Sequence, residues 1–94
     1  MSYVEIDPII LAWLHRHGLT LYERYQDSEV RSVDIVDAGG RKFQIWVDPP
    51  ASGKVVVHVW DYRKRRKDWD TPIDELDHRL EEAVATVADW KLNL

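Results

Sequence analysis

The sequence predicts an α+β two-layer sandwich. A four-stranded antiparallel meander carries an amino-terminal and a long carboxyl-terminal helix on one face, in the order αββββα. Three observations lead there. Both ends of the chain repeat apolar side chains at three- and four-residue spacing. The stretch between them alternates apolar with polar residues and is rich in valine and isoleucine. The alternating runs are joined by short Gly-, Pro- and Asp-containing links, which favour antiparallel neighbours.

Asp7-Pro8 opens the first helix, with Asp7 as cap and Pro8 at the first helical position. Ile9, Ile10, Trp13, Leu14 and His17 form its apolar stripe, and Gly18 ends it. "LTLYERYQ", 19–26, is the first predicted strand, and "VRSVDIVD", 30–37, is the second. "AGG" makes a hairpin turn into "RKFQIWVD", the third strand. "PPASG" is a looser link to "KVVVHVWDY", the fourth. The basic run Arg63–Lys67 is expected to end that strand as a connector. Thr71 then caps the last helix, Pro72 takes its first position, and Asp74 completes a variant capping box. Ile73, Leu76, Leu80, Ala83, Val84, Val87 and Trp90 give that helix one apolar stripe.

Ninety-four residues make a single domain, 1–94, with one modest core. There is no cysteine, which excludes disulfides, thiolate nucleophiles and zinc–thiolate sites and fits the cytoplasm. Glu5 and Asp7 stand where a signal peptide would carry positive charge, so the start reads as a mature helix. No apolar run reaches the ~18 residues of a membrane span.

Strand alternation assigns Val33, Ile35, Phe43, Ile45, Val47, Val55, Val57 and Val59 to the core under the helices. The opposite face then holds Ser32, Asp34, Val36, Lys42, Gln44, Trp46, Val56, His58 and Trp60, with Tyr22 and Arg24 from the first strand. An open face is ordinarily polar, so two tryptophans, a tyrosine and valines there point to a contact surface. The bland alternative is that these aromatics simply stabilise the sheet as cross-strand pairs. Pairing Ile35 with Phe43 and Val47 with Val55 would align Tyr22, Asp34, Gln44 and His58 in one row.

The chemistry-bearing residues are sparse. His58 beside Asp34 could form an acid–base pair, but Ser32 is the only nearby hydroxyl with a nucleophile's chemistry. His15 and His17, two residues apart on a helix, do not share a face. His78 lies one turn from Asp74 and Glu82, a spacing that binds divalent ions adventitiously. There is no H-E-x-x-H and no G-x-x-x-x-G-K-[ST] motif. No catalytic residue, metal site or cofactor is therefore expected.

The net charge is −4, yet residues 61–70 set five bases, Arg63, Lys64, Arg65, Arg66 and Lys67, against Asp61, Asp68 and Asp70. That segment carries +2 and the remainder −6. With Trp60, Tyr62 and Trp69 beside it, the run could grip single-stranded nucleic acid. The reading preferred over nucleic acid is a solvated segment whose charges face the acidic last helix, or one that meets an acidic protein partner; surface pairs of this kind each contribute below ~1 kcal/mol. The leading expectation is a non-enzymatic protein-interaction module. It uses Tyr22, Trp46, His58, Trp60 and Arg63–Lys67 against a protein partner and self-associates. Nucleic-acid binding through the same surface ranks second, and a small enzyme built on His58 and Asp34 ranks third.

Overall fold

The structure is a computed structural model and describes residues 3–21 and 31–92. Helix α1 spans Asp7–His17, strands β1 to β4 span Arg31–Val36, Lys42–Val47, Lys54–Trp60 and Arg66–Pro72, and helix α2 spans Leu76–Leu92 after a 3-10 turn over Ile73–Glu75. The sheet is an antiparallel meander in the order β1-β2-β3-β4. The αββββα order is as the sequence predicts.

The core is where strand alternation puts it. Val33, Phe43, Ile45, Val47, Val55, Val57 and Val59 are buried on one sheet face, and Ile35 packs partly buried against them. Ile10, Trp13 and Leu14 of α1 and Leu76, Leu80, Ala83, Val87 and Trp90 of α2 close over that face. Ile6 is also fully buried, and Tyr3 is buried with its hydroxyl donating to the Val47 carbonyl at 2.7 Å. Gly18 ends α1 in the left-handed region, φ +62°, which glycine adopts without steric cost.

Several local expectations are corrected. Asp7 does not cap α1: the cap position is Ile6, without a side-chain cap bond, and the Asp7 carboxylate accepts from Arg31 at 3.1 Å. Thr71 does not cap α2. It lies in β4, fully buried, and its hydroxyl donates to the Trp69 carbonyl. The basic run is not a connector to the helix. Asp61–Arg65 turns the chain back, and Arg66 and Lys67 begin β4. Leu19–Leu21 is not strand, and the rest of the predicted 19–26 strand lies outside the described residues.

β4 is an edge strand, and its composition follows from that. Lys67, Trp69 and Thr71 pair with Val59, Val57 and Val55 on the core face, while Arg66, Asp68 and Asp70 face outward. Charged side chains along an exposed edge discourage pairing with another chain.

The link from β2 to β3 sets the register. Ser52 and Gly53 both have positive φ, +54° and +75°, as the type I′ hairpin turn requires. Pro49 and Pro50 have no amide to donate to the ladder. Pairing resumes with Asp48 donating to the Val56 carbonyl at 3.1 Å. Val47 is therefore opposite Val57, two residues from the predicted Val55, whereas Ile35 does pair with Phe43. A slip of two keeps every side chain on its face, so the core is unaffected.

Candidate functional site

The register determines which open-face residues meet. One row reads Ser32, Trp46, His58, Asp68, and the next reads Asp34, Gln44, Trp60, Arg66. The predicted row is thus broken: His58 neighbours Trp46 rather than Gln44, and Asp34 is not its partner. Tyr22 lies outside the described residues.

His58 is 8% exposed and held on three sides. Its ring stacks on Trp46 with centroids 4.5 Å apart and planes within 11°. Its Nε2 is 2.7 Å from Asp48 Oδ2, and its Nδ1 meets Asp68 Oδ1. Both ring nitrogens of His58 are therefore engaged by carboxylates. Asp68 also accepts from Arg66 Nε at 3.0 Å, and that guanidinium lies 5.2 Å from the Trp46 ring centre. The Asp68 carboxyl is held below its ordinary range by its bond to His58 first, against partial burial, with Arg66 adding to the effect.

The second row is equally occupied. Gln44 donates to the Ser32 hydroxyl at 2.8 Å, Tyr62 donates its hydroxyl to Asp34, and the Tyr62 ring packs on Trp60 at 4.5 Å. Tyr62 has φ +64°, which costs a bulky residue on the order of 1 kcal/mol or more. Its ring and hydroxyl contacts are what offset that cost. The aromatics of this face thus spend much of their stacking surface on one another.

The basic segment divides in two. Arg65 bonds Asp61 at 3.1 Å, donates to the Trp90 carbonyl at 3.2 Å, and lies over the Trp90 ring. Arg66 is held by Asp68, and the Lys67 ammonium is 6.0 Å from the Trp69 ring centre. By contrast Arg63 and Lys64, both exposed at the turn, have no carboxylate partner among the described residues. Arg16, Arg31, Arg41, Arg65, Arg66 and Arg79 all hold a carboxylate. Arg63 is the exception among the described arginines.

One arrangement escaped the sequence reading. The β1–β2 and β3–β4 turns share a design. Asp37 Oδ1 accepts from the Gly39 and Arg41 amides, both at 2.9 Å. Asp61 Oδ1 accepts from the Arg63 and Arg65 amides at 2.8 and 3.1 Å. In each turn the arginine four residues on pairs with that aspartate and reaches a carbonyl at the end of α2, Lys91 for Arg41 and Trp90 for Arg65. Cations there also suit the negative end of the helix dipole. The signal was present as two D-x-x-x-R strings, "DAGGR" and "DYRKR".

Electrostatics give an acid-side prediction. The Asp37 carboxyl is lowered chiefly by the Arg41 amide, and Glu81 chiefly by Arg16 and then His17. At Asp61 burial pushes the carboxyl up, but the Arg63 amide and Arg65 together outweigh it, so the net shift is down. A carboxylate with a depressed folded pKa contributes stability that is complete above its unfolded value. That contribution is lost as pH falls through the folded value. The urea midpoint should therefore fall as pH drops below about 4, the ordinary carboxylate range. Asp68→Asn should make that acid limb shallower in urea titrations at stepped pH. An unchanged slope would mean that Asp68 is not held by His58.

Compared with known proteins, the chain matches no family model, no curated protein and no solved structure.

Proposed function

We propose that this chain is a non-enzymatic protein-interaction module whose β3–β4 hairpin docks an acidic protein partner. The observation that carries the reading is the uncompensated charge of Arg63 and Lys64 at an exposed turn, in a chain whose other described arginines are paired. Exposed cations without intramolecular partners steer and orient a negative surface. The open face supports a protein partner over nucleic acid, because Trp46 already stacks on His58 and Trp60 packs on Tyr62. Stacking platforms for bases need free aromatic faces. The occupied nitrogens of His58 weigh against the enzyme reading.

A second copy is included among the partners. Asp74 and Glu75, exposed at the start of α2, could meet the basic hairpin of a neighbour. The absence of cysteine suits work in the cytoplasm, and no described helix is long and apolar enough to cross a membrane.

The test is affinity capture from a lysate of the source cells, with and without nuclease, using the wild type and Arg63→Gln/Lys64→Gln. The reading expects a protein, or the chain itself, retained after nuclease and lost with the double variant. Recovery that vanishes with nuclease would favour nucleic acid. Undiminished capture by the double variant would remove the hairpin from the interface.

A further inference from the structure

At the end of the sheet where both aspartate–arginine turns lie, the molecule has a half-open cleft of about 330 Å³ between Gly39–Phe43 and Asp61–Arg65. Buried Phe43 lines it with Arg41, Lys42, Asp61, Arg63 and Arg65. Its charges are unbalanced. Arg41 and Arg65 are matched by Asp37 and Asp61 and tied to the α2 carbonyls. Lys42 and Arg63 come from different hairpins, line the same cleft, and have no carboxylate partner among the described residues. Two positive charges therefore converge on one concavity in a chain of net charge −4.

Part of the cleft wall is aromatic, from Phe43 and Tyr62. Tyr62, which lines it beside the buried Phe43, is 37% exposed. Cations inside a cleft with an aromatic part to its wall match a peptide that carries carboxylates beside apolar residues. A phosphodiester backbone would use the cations but not the aromatic wall.

We infer that this cleft is the seat for an acidic peptide segment of the partner, with Lys42 and Arg63 receiving its carboxylates and the exposed part of Tyr62 receiving an adjoining apolar side chain. The inference rests on the acidic-partner reading above and narrows it to one site. It assigns Lys42 a role that the hairpin alone would not.

The test is fluorescence anisotropy with three labelled probes: a ten-residue Glu/Asp-rich peptide containing two leucines, its Gln/Asn counterpart, and a ten-nucleotide single strand. Lys42→Gln and Arg63→Gln should each weaken the acidic peptide about tenfold, about 1.4 kcal/mol. Lys54→Gln, the same charge change at the far end of β3, should change it less than twofold. Urea melts of each variant establish that it is folded. Equal losses in all three variants, or a larger loss in Lys64→Gln than in Lys42→Gln, would overturn the cleft while leaving a basic docking surface. Wild-type protein that binds the acidic peptide no better than its neutral counterpart would overturn the acidic-partner reading and the cleft together. Tighter binding of the oligonucleotide than of the peptide, with the same dependence on Lys42 and Arg63, would reassign the cleft to nucleic acid.

Discussion

Asp61→Ala should lower the unfolding free energy by about 2–3 kcal/mol, read as a shift in the urea midpoint at constant slope. The carboxylate accepts from two backbone amides of its own turn and from the Arg65 guanidinium, and its side chain is 10% exposed. Removing it leaves those amides to poorer partners. It also frees Arg65, whose other contacts are the Trp90 carbonyl and ring. The effect therefore reaches from a hairpin turn to the end of α2. Asp61→Asn retains an acceptor for the amides but places an amide group near the guanidinium, so a smaller loss is expected. Arg65→Met should recover part of the same energy rather than add to it, since both substitutions break one pair. Additive losses in the double variant would mean that the turn and the helix end are held independently. A loss under about 0.5 kcal/mol for Asp61→Ala would place it among ordinary surface residues.

This turn shows what the sequence does and does not disclose. "RKRRK" is conspicuous as charge, and charge alone cannot separate a grip from a solvated segment. What separates its members is the partner each one finds. Arg65 lies four residues after Asp61, as Arg41 does after Asp37, and that repeat was readable. The isolation of Arg63 and Lys64 was not, because it depends on where every carboxylate ends up.

The core was legible because its signal is periodic. Val55, Val57 and Val59 remain inward under any even slip of register, so an error of two residues left the assignment intact. The open face has no such protection. The same slip moves His58 from Gln44 to Trp46, and it separates a supposed His58–Asp34 pair into two rows. The cause is local. Ser52 takes a left-handed conformation, which serine seldom adopts, so the tight turn hides behind two prolines that suggest a loose loop. Asp48 and Asp68, the residues that hold His58, are in the sequence but not near it.

β4 was missed for a different reason. Its residues, "RKDWDTP", include three charges in the first three positions, and aspartate, lysine and proline are poor strand formers. They are the residues expected of a guarded edge. The remaining clue was small: Trp69 and Thr71 are two apart and alternate with Asp68 and Asp70.

That clue leads to the second large effect. Trp69→Ala should cost about 3 kcal/mol, at the low end for deleting a large aromatic from a core because the ring is only partly buried. Trp69 pairs with Val57, packs against the core, and lies beneath the Arg79 guanidinium at 5.3 Å. Losing it opens a cavity under the edge strand and weakens the pairing that presents Arg63 and Lys64. Trp46→Ala, on the open face, removes a stack on His58 and a contact with Arg66 but no part of the core. About 1 kcal/mol is expected there. The order of the two losses distinguishes the roles of the two tryptophans. If Trp69 served mainly as a stacking platform for a ligand, its removal would leave the urea midpoint nearly unchanged, and Trp46→Ala would be the more damaging substitution. A Trp69→Ala midpoint equal to or above that of Trp46→Ala would therefore mean that β4 adds little to the core. The hairpin that carries the uncompensated charges would then be anchored by Asp61, Arg65 and the end of α2 alone.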